Sequence, residues 1–145
     1  MRLTYKYRLK PTSAQECQLK QTLELCRYVY NETLATRKEA YEQRGESIGY
    51  YQTANLLPVW KADKPELRQV HSQVLQNVID RLDKAFQGFF RRCKAGEKPG
   101  FPRFRGLHRY NSFCYPQSGF TMIGKEIRLS KIGTLRMKMH RPYEG

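Results

Sequence analysis

The stretch Gly96–Tyr115, GEKPGFPRFRGLHRYNSFCY, limits what this chain can fold into more than any other. Pro99, Gly100, Pro102 and Gly106 punctuate it, so neither a helix nor a long strand fits across it. Lys98, Arg103, Arg105, His108 and Arg109 alternate there with Phe101, Phe104, Tyr110, Phe113 and Tyr115. An irregular ribbon that is both basic and aromatic suits a polyanion that also offers flat bases for stacking. The same aromatics could instead tuck into a core from a loop beside a strand, since phenylalanine is usually buried. That second reading accounts less well for the arginines.

Charge points the same way. The chain of 145 residues carries a net charge of +14. Residues 1–90 hold 14 Lys and Arg against 10 Asp and Glu, whereas residues 91–145 hold 13 against 3. The excess is concentrated in the last third, beginning at Arg91 and Arg92, and implies an anionic partner, nucleic acid before membrane. No apolar run approaches the roughly 20 residues a spanning helix needs. Cys17, Cys26, Cys93 and Cys114 are far apart and form no C-x-x-C pair, so they read as reduced cytosolic thiols, neither a disulfide frame nor a zinc site. The three histidines are equally scattered, and no structural metal is expected.

Leu3–Leu9 alternates Leu3, Tyr5, Tyr7 and Leu9 with Thr4, Lys6 and Arg8, the period of a half-buried strand with a basic outer face. Pro11 ends it. Ser13 and Glu16 have the spacing of a capping box and predict a helix start. The helix that follows carries Leu19, Leu23, Cys26, Tyr30, Leu34 and Tyr41 on one face, runs to about Gln43, and is closed by Gly45. Tyr50–Leu57 predicts a short helix stopped by Pro58. Trp60 and Leu67 then join the helical core, and Pro65-Glu66 is a helix opening. A second long helix over Ser72–Lys94 carries Leu75, Val78, Ile79, Leu82, Phe86, Phe89, Phe90 and Cys93. The two long helices are expected to pack antiparallel. Four short strands follow the ribbon: Ser112–Tyr115, Phe120–Ile123, Ile127–Leu129 and Thr134–Met139. The expected fold class is α+β: a small barrel of strand 1 plus the C-terminal strands, interrupted by inserted helices. The divisions are residues 1–10 for the first strand, 11–95 for the helical part, and 96–145 for the basic linker and remaining strands, whose barrel is expected to be incomplete with an unpaired edge.

No complete active site is legible. Residues 91–145 contain only Glu97, Glu126 and Glu144 as acids, whereas metal-dependent nucleases need converging carboxylates. Asp80 and Asp83 share a helix face with Arg81 and Lys84, an arrangement typical of ordinary helix surface. Tyr28 and Tyr30 lie in an apolar helix face with no H-x-H pair nearby and read as core. There is no phosphate-binding G-x-x-x-x-G-K and no H-E-x-x-H.

Six phrases in order resemble one family. TYKYRLKPTSAQ at 4–15, CRYVYNETL at 26–34, VLQNVIDRLDKAFQGFFRR at 74–92, KPGFPRFRG at 98–106, SFCYPQSGF at 112–120 and LSKIGTLRMKMHRP at 129–142 are similar to the N-terminal part of TnpB, the OrfB-type insertion-sequence protein. The resemblance implies an RNA-guided DNA endonuclease with a wedge-type barrel and a helical recognition lobe. Its partners would be a guide RNA and double-stranded target DNA, and protein and guide would divide the reading between them. The family's RuvC-like carboxylates, with their divalent metal, and its zinc finger would lie beyond this stretch. No cofactor is then expected within it, and it would not be an enzyme on its own; a separate C-terminal nuclease half is a possible partner. The expected location is cytoplasmic, at the nucleoid.

Carried over by position, Tyr50 and Gln76 match DNA-motif-reading side chains, with Ser72, Gln73 and Tyr115 at neighbouring variable positions. Gln76 is chemically apt, because an amide can bond an adenine edge bidentately; it could equally be a polar residue bordering the helix stripe. Lys6, Arg8, Arg91, Arg92, Lys98, Arg103, Arg105 and Arg109 would contact phosphates, which positions a nucleic acid without reading it. Alternative readings are a nuclease-dead DNA-binding regulator and a general basic RNA binder.

Overall fold

The structure, a computed structural model, describes residues 2–139 and 141–142. Residues 1, 140 and 143–145, which belong to the first and last of the three divisions above, lie outside the described residues. The described chain is α+β. Its elements in order are β1 (Arg8–Lys10), α1 (Ser13–Arg44), α2 (Tyr50–Ala54), α3 (Leu57–Asp63), a 3-10 helix (Pro65–Gln69), α4 (Ser72–Lys94), β2 (Phe120–Ile123), β3 (Glu126–Leu129) and β4 (Gly133–Lys138).

The capping box forms one residue earlier than expected. Thr12 is the N-cap: its side chain accepts from the Gln15 amide, and the Gln15 side chain accepts from the Thr12 amide. The sequence Thr-Ser-Ala-Gln-Glu satisfies the motif in either register, and Gln15 settles it by also donating from Nε2 to the Thr134 carbonyl at 2.7 Å, which ties α1 to β4. At the other end Gly45 closes α1 in the left-handed conformation, at φ 64°. The buried stripe of α1 includes Cys26, Tyr30 and Leu34 as expected, but also Thr22, Thr33 and Arg37. The threonines bury cheaply because each hydroxyl donates to the carbonyl four residues back, Thr33 to Val29 and Thr22 to Gln18. Tyr41, expected in the stripe, is 69% exposed.

Helices α1 and α4 run parallel, contrary to the antiparallel expectation. Gln21, early in α1, bonds Gln69 just before α4, while Arg37, late in α1, pairs with Asp83 and lies 4.0 Å over the Phe86 ring. The reason is the passage between them: α2, α3 and the 3-10 helix carry the chain back to the start of α1 before α4 begins. Pro58 opens α3 instead of ending a helix, since proline lacks only an amide that the first turn leaves free anyway. Leu34, Leu67, Leu75, Ile79 and Leu82 are fully buried in this core, each worth about 1.5–3 kcal/mol relative to exposure.

The sheet is open, four-stranded and antiparallel, in the order β1-β4-β3-β2; the described strands do not close into a barrel. Strand 1 does pair with β4, but it is only three residues long, with Leu9 opposite Met137. Leu3–Tyr7 forms no strand; Tyr7 instead donates its hydroxyl to the Arg141 carbonyl at 2.8 Å. Strands β2 and β3 join through Gly124-Lys125, with Gly124 at φ 56° as a two-residue hairpin loop requires. Residues 112–115, expected as a strand, are irregular and are held by side chains.

The two cores meet at a seam. Phe113 and Tyr115 pack against both the helical cluster and the sheet cluster of Leu129, Ile132 and Leu135. Tyr115 donates to the Ser130 carbonyl at 2.7 Å, and its ring lies 5.6 Å from that of His71. Gly119 closes the seam at φ 89°, where a Cβ would sit 2.8 Å from two atoms of the His71 ring and 2.9 Å from the Tyr115 ring. Gly119→Ala is therefore expected to destabilise the protein by about 1–3 kcal/mol, read as a lower midpoint of denaturant unfolding. A midpoint equal to wild type would show that the seam does not hold the two cores together.

Candidate nucleic-acid interface

A polar groove of about 470 Å³ opens between α2, the first half of α4 and the loop after the ribbon. Helix α2 contributes Tyr50 and Tyr51; α4 contributes Gln73, Gln76, Asn77, Asp80 and Asp83; the loop contributes Pro116 and Gln117. The α4 residues recur at three- and four-residue steps, so they form one stripe beside the core stripe of Val74, Leu75, Val78 and Ile79. Helix α4 starts under an unusual cap: His71 Nδ1 accepts from the Gln73 amide at 3.2 Å.

The groove's side chains divide into those already engaged and those left over. Gln73 Oε1 accepts from both the amide and the hydroxyl of Ser118, each at 3.0 Å, which fixes the loop and leaves only its Nε2 to offer. Asp83 bonds Arg37 at 2.9 Å and Gln87 at 2.7 Å, and Asp80 pairs with Lys84 at 3.0 Å. Gln76 is exposed and makes no hydrogen bond among the described residues. Asn77 buries its Oδ1 with no partner among the described residues. Burial raises the Tyr50 phenol above its usual value, with Asp80 and then Tyr51 adding to the effect, so it stays a neutral donor and acceptor. Two carboxylates disfavour phosphate here, whereas free amides and a phenol suit base edges.

Of the five residues matched to motif reading, the groove gathers Tyr50, Gln73 and Gln76. Ser72 lies outside its lining, with its hydroxyl 3.5 Å from the Lys61 ammonium. Tyr115 also lies outside it, in the seam, where burial pushes its phenol up to about 12. No sequence pattern pointed to Asn77, Tyr51, Pro116 or Gln117, because a groove wall assembled from three segments has no period.

The ribbon is irregular throughout, and its aromatics split. Tyr110 is buried against Tyr30, Phe113 and Tyr115 are half-buried, and Phe101 stands edge-on to Phe86 and Phe89. Phe104 stays 51% exposed. The inward-tucked reading thus holds for Tyr110, Phe113 and Tyr115, and Phe104 is the aromatic most open for stacking. Asn31 pins the ribbon like a short bridge: its Oδ1 accepts from the Arg105 amide at 2.8 Å and its Nδ2 donates to the Arg105 carbonyl at 2.9 Å. Arg27 donates to the same carbonyl, and Arg81 donates to the Ser112 carbonyl at 2.8 Å. With the backbone so held, Lys98, Arg103 and Arg109 remain exposed, with no ion pair among the described residues. The Arg105 guanidinium lies 5.5 Å over the Tyr30 ring. Arg91 and Arg92 fold back toward Gly88 on α4; Lys6, before the first strand, and Arg8, in it, are exposed.

Burial pushes the Cys26 thiol up to about 12, which makes it an inert core residue. Among the described residues no group of three or more His, Cys, Asp or Glu side chains could hold a metal ion, and no helix is long and apolar enough to cross a membrane. Asn31→Ala removes both bridge bonds and is expected to cost about 1–2 kcal/mol and to speed proteolysis between Lys98 and Arg109. Unchanged cleavage there would mean that the ribbon is held by its aromatics alone.

Residues 1–46 match the helix-turn-helix domain family of OrfB/IS605 type. In the structure the described part of that span holds β1 and one unbroken helix, and the next helix begins at Tyr50, beyond the match. The chain is 32% identical over 97% of its length to a protein of Escherichia coli K12 named "Putative RNA-guided DNA endonuclease InsQ", covering 35% of that protein. It is 29% identical over 88% of its length to a "Putative RNA-guided DNA endonuclease" of Streptomyces pristinaespiralis, covering 31% of that protein. The chain thus spans about a third of the length of the curated relatives it matches.

Proposed function

We propose that this chain, which carries the OrfB-type helix-turn-helix domain at its N-terminus and whose curated homologues are TnpB-like RNA-guided DNA endonucleases, is the nucleic-acid-binding N-terminal part of such an enzyme. In this reading the helices 11–95 are the recognition lobe, and the open sheet is the part of a wedge-type barrel contained in residues 1–10 and 96–145. The guide RNA and duplex target DNA are the partners. The nuclease carboxylates, their divalent metal and the zinc finger belong to a C-terminal part, and the protein works in the cytoplasm at the nucleoid.

The observation that carries the proposal is the groove between α2 and α4. Gln76 presents an amide with no partner among the described residues, Tyr50 a neutral phenol and Gln73 its remaining Nε2. Among the described residues no cation lines the groove, so it suits base edges better than phosphates. The DNA backbone is then held outside it by the exposed cations of the ribbon and the end of α4, contacts that position without specifying. The short motif beside the target is read in this groove, and pairing with the guide reads the rest.

Selection of bound duplexes from a randomised library, in the presence of RNA from the flanking element, tests this. Gln76→Ala is expected to relax one base position by about 1–3 kcal/mol while leaving overall affinity nearly unchanged. Arg103→Ala is expected to weaken all sequences alike and to lower the salt slope by about one. A wild-type chain with no sequence preference, releasing all nucleic acid at moderate salt, would reject motif reading and leave a general basic binder.

A further inference from the structure

Both apolar stripes of the helical core run on past it, and the parallel packing brings their overruns to the same end of the molecule. On α1 the spacing that buries Cys26, Tyr30 and Leu34 continues to Tyr41, which stands 69% exposed. On α4 the spacing that buries Leu75, Val78, Ile79 and Leu82 continues through the buried Phe86 to Phe89 and the exposed Phe90. Phe101 of the ribbon stands edge-on to Phe86 and Phe89, with ring centroids 5.4 and 5.3 Å away, and is itself exposed. These side chains and Ile48 line an open hollow of about 380 Å³. Single exposed apolar side chains are ordinary, but a contiguous aromatic cluster inside a rim of charges is where another protein surface docks.

The charges of the rim select the occupant. Two copies of a chain at +14 repel each other over most of their surface, but this hollow is lined by two bases, Arg37 and Lys38, and two acids, Glu42 and Glu46. It has no net charge to attract a polyanion. Arg37 is committed to Asp83 and the Phe86 ring, and Glu46 to Arg44. Lys38 and Glu42 are left over: both are exposed, one turn apart on α1, and neither makes an ion pair among the described residues. A free cation and a free anion beside an aromatic hollow complement themselves. We infer that this end of the helical pair is a homodimer surface, in which a two-fold axis crosses the α1 ends of two copies and sets Lys38 of each against Glu42 of the other. The aromatic hollows then close on one another, and such an isologous contact stops at two copies. The hollow shares no lining residue with the α2/α4 groove, and the dimer does not rest on the groove's reading of DNA.

Sedimentation equilibrium of the 145-residue chain, freed of nucleic acid and followed across the micromolar range, tests this. A reversible monomer–dimer equilibrium with no larger species is expected. Tyr41→Ser and Phe90→Ser change exposed side chains only, and each is expected to raise the dimer dissociation constant about tenfold or more with far-UV circular dichroism unchanged. Val59→Ser on α3, where Val59 is 54% exposed, should leave the dimer as it is. Lys38→Glu or Glu42→Lys alone sets like charges together and should weaken the dimer several-fold, whereas the double variant exchanges the two charges and should restore it. A chain that stays monomeric, or a dimer indifferent to Tyr41→Ser and Phe90→Ser, would overturn the inference. Failure of the double variant to restore a dimer lost in both single ones would overturn the two-fold arrangement. A monomer formed by a protein of the relatives' full length, when this chain dimerises, would show that a further segment covers the hollow and would overturn the second copy as its occupant.

Discussion

Everything this chain can present to a partner hangs on the parallel packing of α1 against α4. The two buried stripes, Cys26, Val29, Tyr30 and Leu34 on one side and Leu75, Val78, Ile79 and Leu82 on the other, form the one large core. Parallel packing obliges the chain to return between the helices, and the return creates α2. Tyr50 and Tyr51 stand beside the start of α4 for that reason alone. At the far end Arg37 pairs with Asp83 while stacking on Phe86, so a buried charge is neutralised where the ribbon crosses with Phe101.

The sheet joins this core through α1, where Gln15 bonds the Thr134 carbonyl and Leu19 packs on the sheet cluster, and at the seam. Tyr115, His71 and Gly119 meet there at near-contact distances, and Gln73 reaches from α4 to hold Ser118. One residue of the groove wall therefore also anchors the loop leading into β2. A partner that draws on Gln73 would be felt at the seam, which gives the groove and the sheet a direct physical connection.

Much of this was legible in sequence, and the failures share a cause. The bounds of α4, the closure of α1 at Gly45 and the hairpin of β2 and β3 follow from periodicity and turn chemistry, which are local. Helix direction is not local: the stripe of α4 is the same whether α1 runs with it or against it. Pro58 can end one helix or open the next, and only the tertiary return of the chain decides. Ser112–Tyr115 has strand-like residues, but Arg81 and the seam engage its backbone and rings before a neighbouring strand can. For the site, Tyr50, Gln73 and Gln76 came from resemblance by position and are brought together by the fold. Asn31 and Arg81, which hold the ribbon, left no pattern to find.

In the proposed function, an acid-edged groove takes bases and cationic surfaces take backbone. Hydrogen-exchange mapping of the 145-residue chain, free and bound in turn to selected duplex DNA and to element RNA, tests it most directly. DNA is expected to slow exchange in α2 and the first turns of α4, and RNA to slow it in basic segments outside the groove. The same diffuse protection from both ligands, spread over every basic segment and sparing the groove, would contradict it.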